Sequence, residues 1–329
     1  MIVVTGGAGF IGSNILAGLQ DRSVTDLAVI DRLGTSEKWC NLAKRELRFI
    51  VPPEKTWDFL RLHEQEISVV IHMGAISSTT ETDVDLIVEN NFSLTMDLWR
   101  YCAEYGKRFV YASSAATYGA GECGFKDDDS LDYLDSISPL NAYGWSKAMV
   151  DRAIAREAAL GTKSPPQCVG LKFFNVYGPN EYHKGEQKSV IARIYPDVDA
   201  NRHVELFKSY HPRYADGGQM RDFVWVGDVV SVVMWFLDHP GVSGLFNVGS
   251  GIARSFYDLA TAVWATTGKQ PKIGYKEMPE LLREKYQYFT EADLTKLRSV
   301  GYDRDMTTLE DGIREYVGKY LSFKKDPYR

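Results

Sequence analysis

Short apolar runs alternate with longer stretches of helical spacing through the first half of the chain. Residues 2–5 (IVVT) form the first such run, and residues 10–19 carry apolar positions three and four apart. Further runs at 27–31, 69–72, 108–112 and 168–173 are short, apolar and β-branched, which predicts strands. Between them, 83–105 and 143–159 have the length and spacing of helices. Strands that are apolar on both faces and alternate with helices predict an α/β fold. The expected sheet is parallel, doubly wound in the Rossmann manner and covered by helices on both sides.

After about residue 175 this rhythm loosens into glycine, proline and aromatic loops between short elements. The organisation expected is a dinucleotide-binding domain over 1–175, with a later returning segment near 221–250. A smaller, partly discontinuous substrate-binding region then covers 176–329. The acidic stretch 126–135 (KDDDSLDYLD) and the stretch 209–220 (SYHPRYADGGQM) read as solvated surface loops.

Composition narrows the possible partners. The chain has 329 residues, is 44% hydrophobic and carries a formal net charge of −6. A core of useful size is available, and a basic field attracting nucleic acid is not. Cys40, Cys102, Cys123 and Cys168 form no C-x-x-C pair, and the six histidines show no metal-ligand spacing. No metal is therefore expected. No apolar run approaches a membrane span, and the first strand leaves no room for a signal peptide, so a cytoplasmic location is expected.

The chemistry begins at TGGAGFIGSN, residues 5–14. Gly6, Gly9 and Gly12 lie between an apolar run and a helical stretch. In that context Gly6 permits the tight turn, Gly9 the approach of a pyrophosphate, and Gly12 close packing of helix on strand. The helix N-terminus offers free N–H groups to phosphate oxygens. Asp31 follows at the end of the second run, where an acid holds the adenosine ribose. Arg32 and Lys38 beside it could accept a 2′-phosphate, which favours NADP over NAD.

Two more stretches complete the set. YASSAATYG (111–119) places Ser113 and Ser114 at a strand's carboxyl end, where α/β sheets gather chemistry. NAYGWSK (141–147) places Tyr143 and Lys147 four apart, hence on one helix face. A phenol titrates near 10, and a nearby ammonium together with a positive nicotinamide ring would bring its pKa down. Tyr143 would then exchange a proton with an alcohol as hydride leaves its carbon. Lys147 would hold the nicotinamide ribose, and Ser114 would orient the hydroxyl. His72, Trp225 and Trp235 read as packed residues, and Asp228 as a cap or loop brace.

Together these motifs resemble the extended short-chain dehydrogenase/reductases, the nucleotide-sugar epimerases and dehydratases. The resemblance also takes in HMGAISSTTE (72–81), NN (90–91), FFNVYGP (173–179), RDFVWVGDV (221–229) and FNVGSG (246–251). Dehydratases of this family carry an acid pair after the strand-end serine. Here Ala115 and Ala116 follow Ser114, which disfavours dehydration. SSTTE, SSAATYG, HKG (183–185) and YQYFTEADL (286–294) are most similar to the family's ADP-heptose 6-epimerases.

That resemblance implies an NADP enzyme of lipopolysaccharide-core biosynthesis that inverts C6″ of an ADP-heptose, and a homo-oligomer, often a pentamer. By the same resemblance Phe10, Ile11, Asp31, Arg32, Lys38, Met73, Gly74, Ala75, Ile76, Ser77, Asn90, Lys147, Val176 and Lys184 face the cofactor. Tyr143 and Lys184 are the two acid/base groups. Ser114, Asn175, Arg193, Phe207, Lys208, Ser209, Tyr210, Arg221 and Tyr286 fall at substrate positions, as does Glu186, where the family has serine. Arg193 replaces a family histidine, and 208–220 is longer than the family loop. Other readings are a UDP-hexose 4-epimerase, which needs no Lys184, and a non-catalytic NADP(H)-binding regulator, which often loses Tyr143 or Lys147.

Overall fold

The computed structural model describes residues 1–283, 286–323 and 325–329. Seven parallel strands form the central sheet. They are β1 (Ile2–Thr5), β2 (Leu27–Ile30), β3 (Phe49–Val51), β4 (Val69–His72), β5 (Arg108–Ser114), β6 (Cys168–Phe173) and, after three strands elsewhere, β10 (Gly244–Val248). Their spatial order is β10-β6-β5-β4-β1-β2-β3, so the strand order reverses between β1 and β4. Such a switch point opens a crevice at the carboxyl ends of the strands. The register brings Thr5 beside His72 and Ser114 beside Phe173, so these strand ends form one rim.

Helices cover both faces, as strands without an exposed side require. Val4, Val29, Ile71, Val110 and Leu171 meet the first helix (Phe10–Asp21) and the Val226–Asp238 helix on one side. Val3, Val70, Phe109 and Tyr111 meet Leu98, Trp99 and Val150 on the other. Beyond β6 lie two small sheets. One orders β11 (Ala253–Ser255), β9 (Met220–Trp225) and β7 (Asn175–Tyr177); the other pairs β12 (Ile273–Lys276) with β8 (Val204–Phe207). They share a third core around Tyr177, Trp225, Trp264 and Tyr316. No helix is long and apolar enough to cross a membrane among the described residues.

One local expectation changes and two gain detail. The 83–105 stretch is not one regular helix: Val84–Ile87 and Leu94–Glu104 are joined by a π turn over Val88–Ser93. That turn places Asn91 in the core, where its amide accepts the Ile76 N–H at 2.8 Å and donates to the Ile76 carbonyl at 3.0 Å. The acidic 126–135 stretch is largely exposed, as expected, but it is not all loop: Leu131–Ser136 is helical. Asp127 is the buried exception among its acids and accepts the Asn247 N–H at 2.8 Å, while Asp129 pairs with Lys296 at 2.9 Å at the surface. Residues 209–219 form a surface loop as expected, anchored where Gly217 and Gln219 are buried and where Tyr214 stacks on Tyr288 with ring centroids 5.6 Å apart.

Candidate active site

The glycine loop leaves β1 at Gly6, whose φ of +64° is the left-handed turn only glycine adopts cheaply. A Cβ there would lie 2.5 Å from the Gly74 backbone nitrogen, so the loops after β1 and β4 touch at this point. A Cβ on Gly12 would overlap the Gly6 carbonyl. The first helix begins at Gly9 without a side-chain cap or a first-turn acid, leaving its N–H groups for an anion. This is a pyrophosphate cradle in shape and polarity. Asp31 lies just beyond β2, where its carboxylate accepts the Ala8 N–H at 2.8 Å and pairs with Lys38 at 2.6 Å.

A cleft of about 590 Å³ runs from this loop across the rim of the sheet. It brings together Gly6, Gly9, Phe10, Ile11, Gly12, Asp31, Lys38, Met73, Gly74, Ala75, Ser77, Ser114, Tyr143, Lys147, Asn175, Val176 and Lys184. Three expected cofactor positions lie outside its lining. Arg32 faces solvent and pairs with Glu54. Ile76 has both backbone groups held by Asn91. Asn90 donates its amide to the Leu86 carbonyl at 2.9 Å, and it is the neighbouring Asn91 that braces the cradle.

The Ala142–Ala159 helix is capped by Asn141, which accepts the Gly144 N–H at 2.8 Å and starts the helix one residue before Tyr143. Tyr143 and Lys147 therefore enter the cleft one turn apart. The Ser114 hydroxyl accepts the Ala116 N–H at 3.1 Å, which leaves its hydrogen for the Tyr143 oxygen. Burial pushes the Tyr143 phenol up, and only the bond from Ser114 opposes it. The expected depression by Lys147 is not among the effects that set this shift. Lys147 itself is brought down to about 8 by burial, with Asp151 pulling the other way. In this state Tyr143 is a proton donor.

Lys184 arrives from a different segment. It sits on the Tyr182–Gln187 turn, which kinks at Gly185 (φ 55°), with its ammonium 5.8 Å from the Phe10 ring centre. The turn is anchored by buried Glu181, which accepts the Ser189 N–H and hydroxyl and the Tyr316 hydroxyl at 2.6, 2.7 and 2.8 Å. Burial lowers the Lys184 pKa, and Glu181 counters it. His183 also lines the cleft and is held near 4 by burial and by Lys38 and Lys184, so it is neutral. The HKG motif was the signal for His183, although the resemblance assigned a role only to its lysine.

A second cavity of about 520 Å³ shares Val190 and Phe256 with the first. Arg193, Phe207 and Tyr286 line it. Beside it Arg221 is buried, donating to the Met220 carbonyl at 2.8 Å and lying 5.0 Å from the Tyr286 ring centre. Burial lowers its pKa, and Tyr286 and Tyr214 counter it. The remaining expected positions point elsewhere. Lys208 pairs with Glu277 at 2.7 Å, Tyr210 donates its hydroxyl to the same carboxylate, and the Ser209 N–H goes to Asp216 at 2.8 Å. Glu186 has a side chain 97% exposed, 3.9 Å from Arg193.

The residues read as structural have their places too. His72 is buried between Thr5 and Thr95 at 2.6 and 2.9 Å, and its pKa falls to about 3. Trp225 and Trp235 are core. Asp228 braces a distant loop, accepting the Thr307 N–H and hydroxyl at 2.8 and 2.9 Å.

Known proteins resemble this chain in sequence and fold. The NAD dependent epimerase/dehydratase family profile matches residues 2–249. The ADP-L-glycero-D-manno-heptose-6-epimerase of Nitratidesulfovibrio vulgaris is 48% identical over the full length of both chains. The Helicobacter pylori structure of that name superposes with a TM-score of 0.76 at 26% identity, over 97% of this chain and 95% of that one. A Thermus thermophilus UDP-glucose 4-epimerase in complex with NAD gives 0.74 at 27% identity, over 96% and 97%. With the glycine cradle, the strand-end serine and the tyrosine–lysine helix converging on one cleft, the chain belongs to the NAD dependent epimerase/dehydratase family.

Proposed function

We propose that this protein interconverts ADP-D-glycero-D-manno-heptose and ADP-L-glycero-D-manno-heptose by transient oxidation and re-reduction of C6″ with tightly held NADP. The observation carrying this reading is the pair of proton-exchanging groups, Tyr143 and Lys184, that two separate segments bring to one cleft. The 48% identity to a protein of that name over the whole chain supports the choice of sugar.

The cradle fits a dinucleotide: glycines where a Cβ would intrude, an open helix N-terminus, and Asp31 at the ribose position. A bound nicotinamide dinucleotide supplies a reversible hydride acceptor and, when oxidised, a positive charge near Tyr143. Ser114 donates a hydrogen bond that orients the substrate hydroxyl. Tyr143 takes its proton from one side, and Lys184, made less basic by burial, exchanges a proton on the other. Inverting a carbon requires its carbonyl to present both faces, so two proton-exchanging groups are needed where a simple dehydrogenase needs one. Arg221 holds the diphosphate, while Phe207 and Tyr286 flank the nucleotide.

Lys38 carries the cofactor preference in this reading. A bare Asp31 would repel a 2′-phosphate, but its ion pair with Lys38 cancels that charge. Lys38→Ala is expected to weaken NADP binding about tenfold or more relative to NAD, as titration of cofactor fluorescence would show. Equal affinity changes for the two cofactors would overturn the NADP assignment.

Proton NMR of the protein with ADP-D-glycero-D-manno-heptose tests the function itself. The C6″ epimer should accumulate to equilibrium with no net reduced cofactor. No change even with added NADP, together with turnover of UDP-galactose, would replace this reading by the UDP-hexose 4-epimerase one. Cofactor binding with no turnover of either sugar would leave the regulator.

A further inference from the structure

Beneath Tyr143 and Lys147 the same helix face continues to Asp151, one turn further on. Asp151 is fully buried, and side chains from two strands converge on its carboxylate. Lys172 of β6 donates to it at 2.7 Å, with both side chains 0% exposed. Ser113 of β5, the neighbour of Ser114, donates at 2.8 Å, and Tyr111 of the same strand at 3.0 Å. Lys172 gives a second bond, at 2.8 Å, to the hydroxyl of Thr117, whose own hydroxyl donates to the Ser114 carbonyl at 2.8 Å. The helix bearing Tyr143, the strand bearing Ser114 and the adjoining strand therefore meet at one carboxylate, and the turn after Ser114 is tied in through Lys172.

A buried ion pair is weak evidence for stability, since well-packed apolar residues of similar size often do as well. This one has a geometric and an electrostatic consequence. It fixes the spacing between the two strand-end serines and the helix. It also sets a permanent negative charge one turn from an ammonium that is itself out of water. We propose that Asp151, held by Lys172, is the positioning residue of the acid/base set, fixing Ser114 against Tyr143 and keeping Lys147 charged in its buried site. The inference rests on the reading of Tyr143 and Lys147 given above.

The groups facing Lys147 are few. Tyr143 lies on its own helix toward the cleft and Asp151 on the far side. His72 of β4 is neutral at any working pH. Lys172 and Tyr111 lie across Asp151. Only Asp151 favours the charged form of Lys147. Neutralising it therefore leaves two buried ammonium groups and no counter-charge.

The test is lysine titration in the intact protein labelled at the lysine ε-carbon. The Lys147 signal is identified by its loss in Lys147→Arg. In the wild type it should titrate near pH 8. In Asp151→Asn it should titrate about one pH unit lower or more. In Asp151→Asn/Lys172→Met, which removes the second cation and keeps the core uncharged if the single variant does not fold, the drop should be smaller. With the heptose substrate, the alkaline limb of kcat should move down by the same amount, with KM little changed. An unmoved Lys147 titration in the folded variants would overturn the proposal, as would a fall in kcat with no shift in the limb. A shifted titration in a protein that does not turn over the heptose would sustain the proposal and sink the sugar assignment.

Discussion

Tyr143→Phe is expected to lower kcat for C6″ epimerisation about 10³-fold while leaving the dinucleotide bound. Removing one hydroxyl deletes a proton-exchanging group, which typically contributes 10²–10⁴-fold. A 10³-fold loss is about 4 kcal/mol of barrier. The fold should not suffer. Tyr143 faces the cleft, its ring remains, and its described partner, Ser114, keeps the Ala116 N–H at 3.1 Å. The proposed cofactor positions, the glycine loop, Lys38 and Lys147, line the same cleft and are not altered by the substitution. The checks are single-turnover kinetics with the ADP-heptose and a thermal melt with and without NADP. A variant that keeps more than a tenth of wild-type kcat would remove Tyr143 from the acid/base role. A variant that loses its NADP-induced rise in melting temperature would show that the phenol serves binding instead.

The second large effect separates neighbouring chemistries. Lys184→Met keeps the length and apolar stem of the side chain and deletes the ammonium. If Lys184 exchanges the second proton, kcat should fall about 10²- to 10³-fold. The decrease should persist at saturating substrate, because the lost interaction belongs to the transition state. A 4-epimerase working with Ser114, Tyr143 and Lys147 alone would change by no more than a fewfold. The pH dependence carries a sign as well. Burial brings the lysine's pKa down from its usual value, so its neutral, proton-accepting form is reached at lower pH than for a surface lysine. Lys184→Arg, which stays protonated throughout, should be as inactive as the methionine variant. Activity retained in the arginine variant would reassign Lys184 to holding an anion.

Much of this site is legible in the chain because it is local. The strand, glycine turn and helix of residues 2–21 are contiguous, and Tyr143 and Lys147 need only a helix to share a face. What stays hidden is whatever depends on a distant partner. Asp127 looks like a solvent-facing acid until the Asn247 N–H arrives from more than a hundred residues away. Arg32 and Lys38 look alike as cations beside Asp31. Only tertiary structure sends one to Glu54 and the other to Asp31. Asn90 and Asn91 are adjacent, and a π turn, which hydrophobic spacing does not announce, decides which one enters the core. Asp151 was within reach, four residues past Lys147 on the same face, but its importance comes from Lys172, and strand pairing is not written in helical spacing.

Asn180 shows what this dependence means for a chain leaving the ribosome. Its amide donates to the Ser13 hydroxyl at 3.0 Å, its carbonyl receives the Asn41 amide at 3.0 Å, and its side-chain oxygen accepts the Arg329 N–H at 3.0 Å. One residue thus ties the first helix, the segment bearing Lys38 and the residues after 325, at separations of 167, 139 and 149 positions. The turn carrying Lys184 begins two residues later. Contacts of such long range form slowly and late. A nascent chain can build the glycine loop early, whereas the segment leading to Lys184 gains its ties to the first helix and to Arg329 late, so dinucleotide affinity is expected to precede the seating of Lys184 during synthesis.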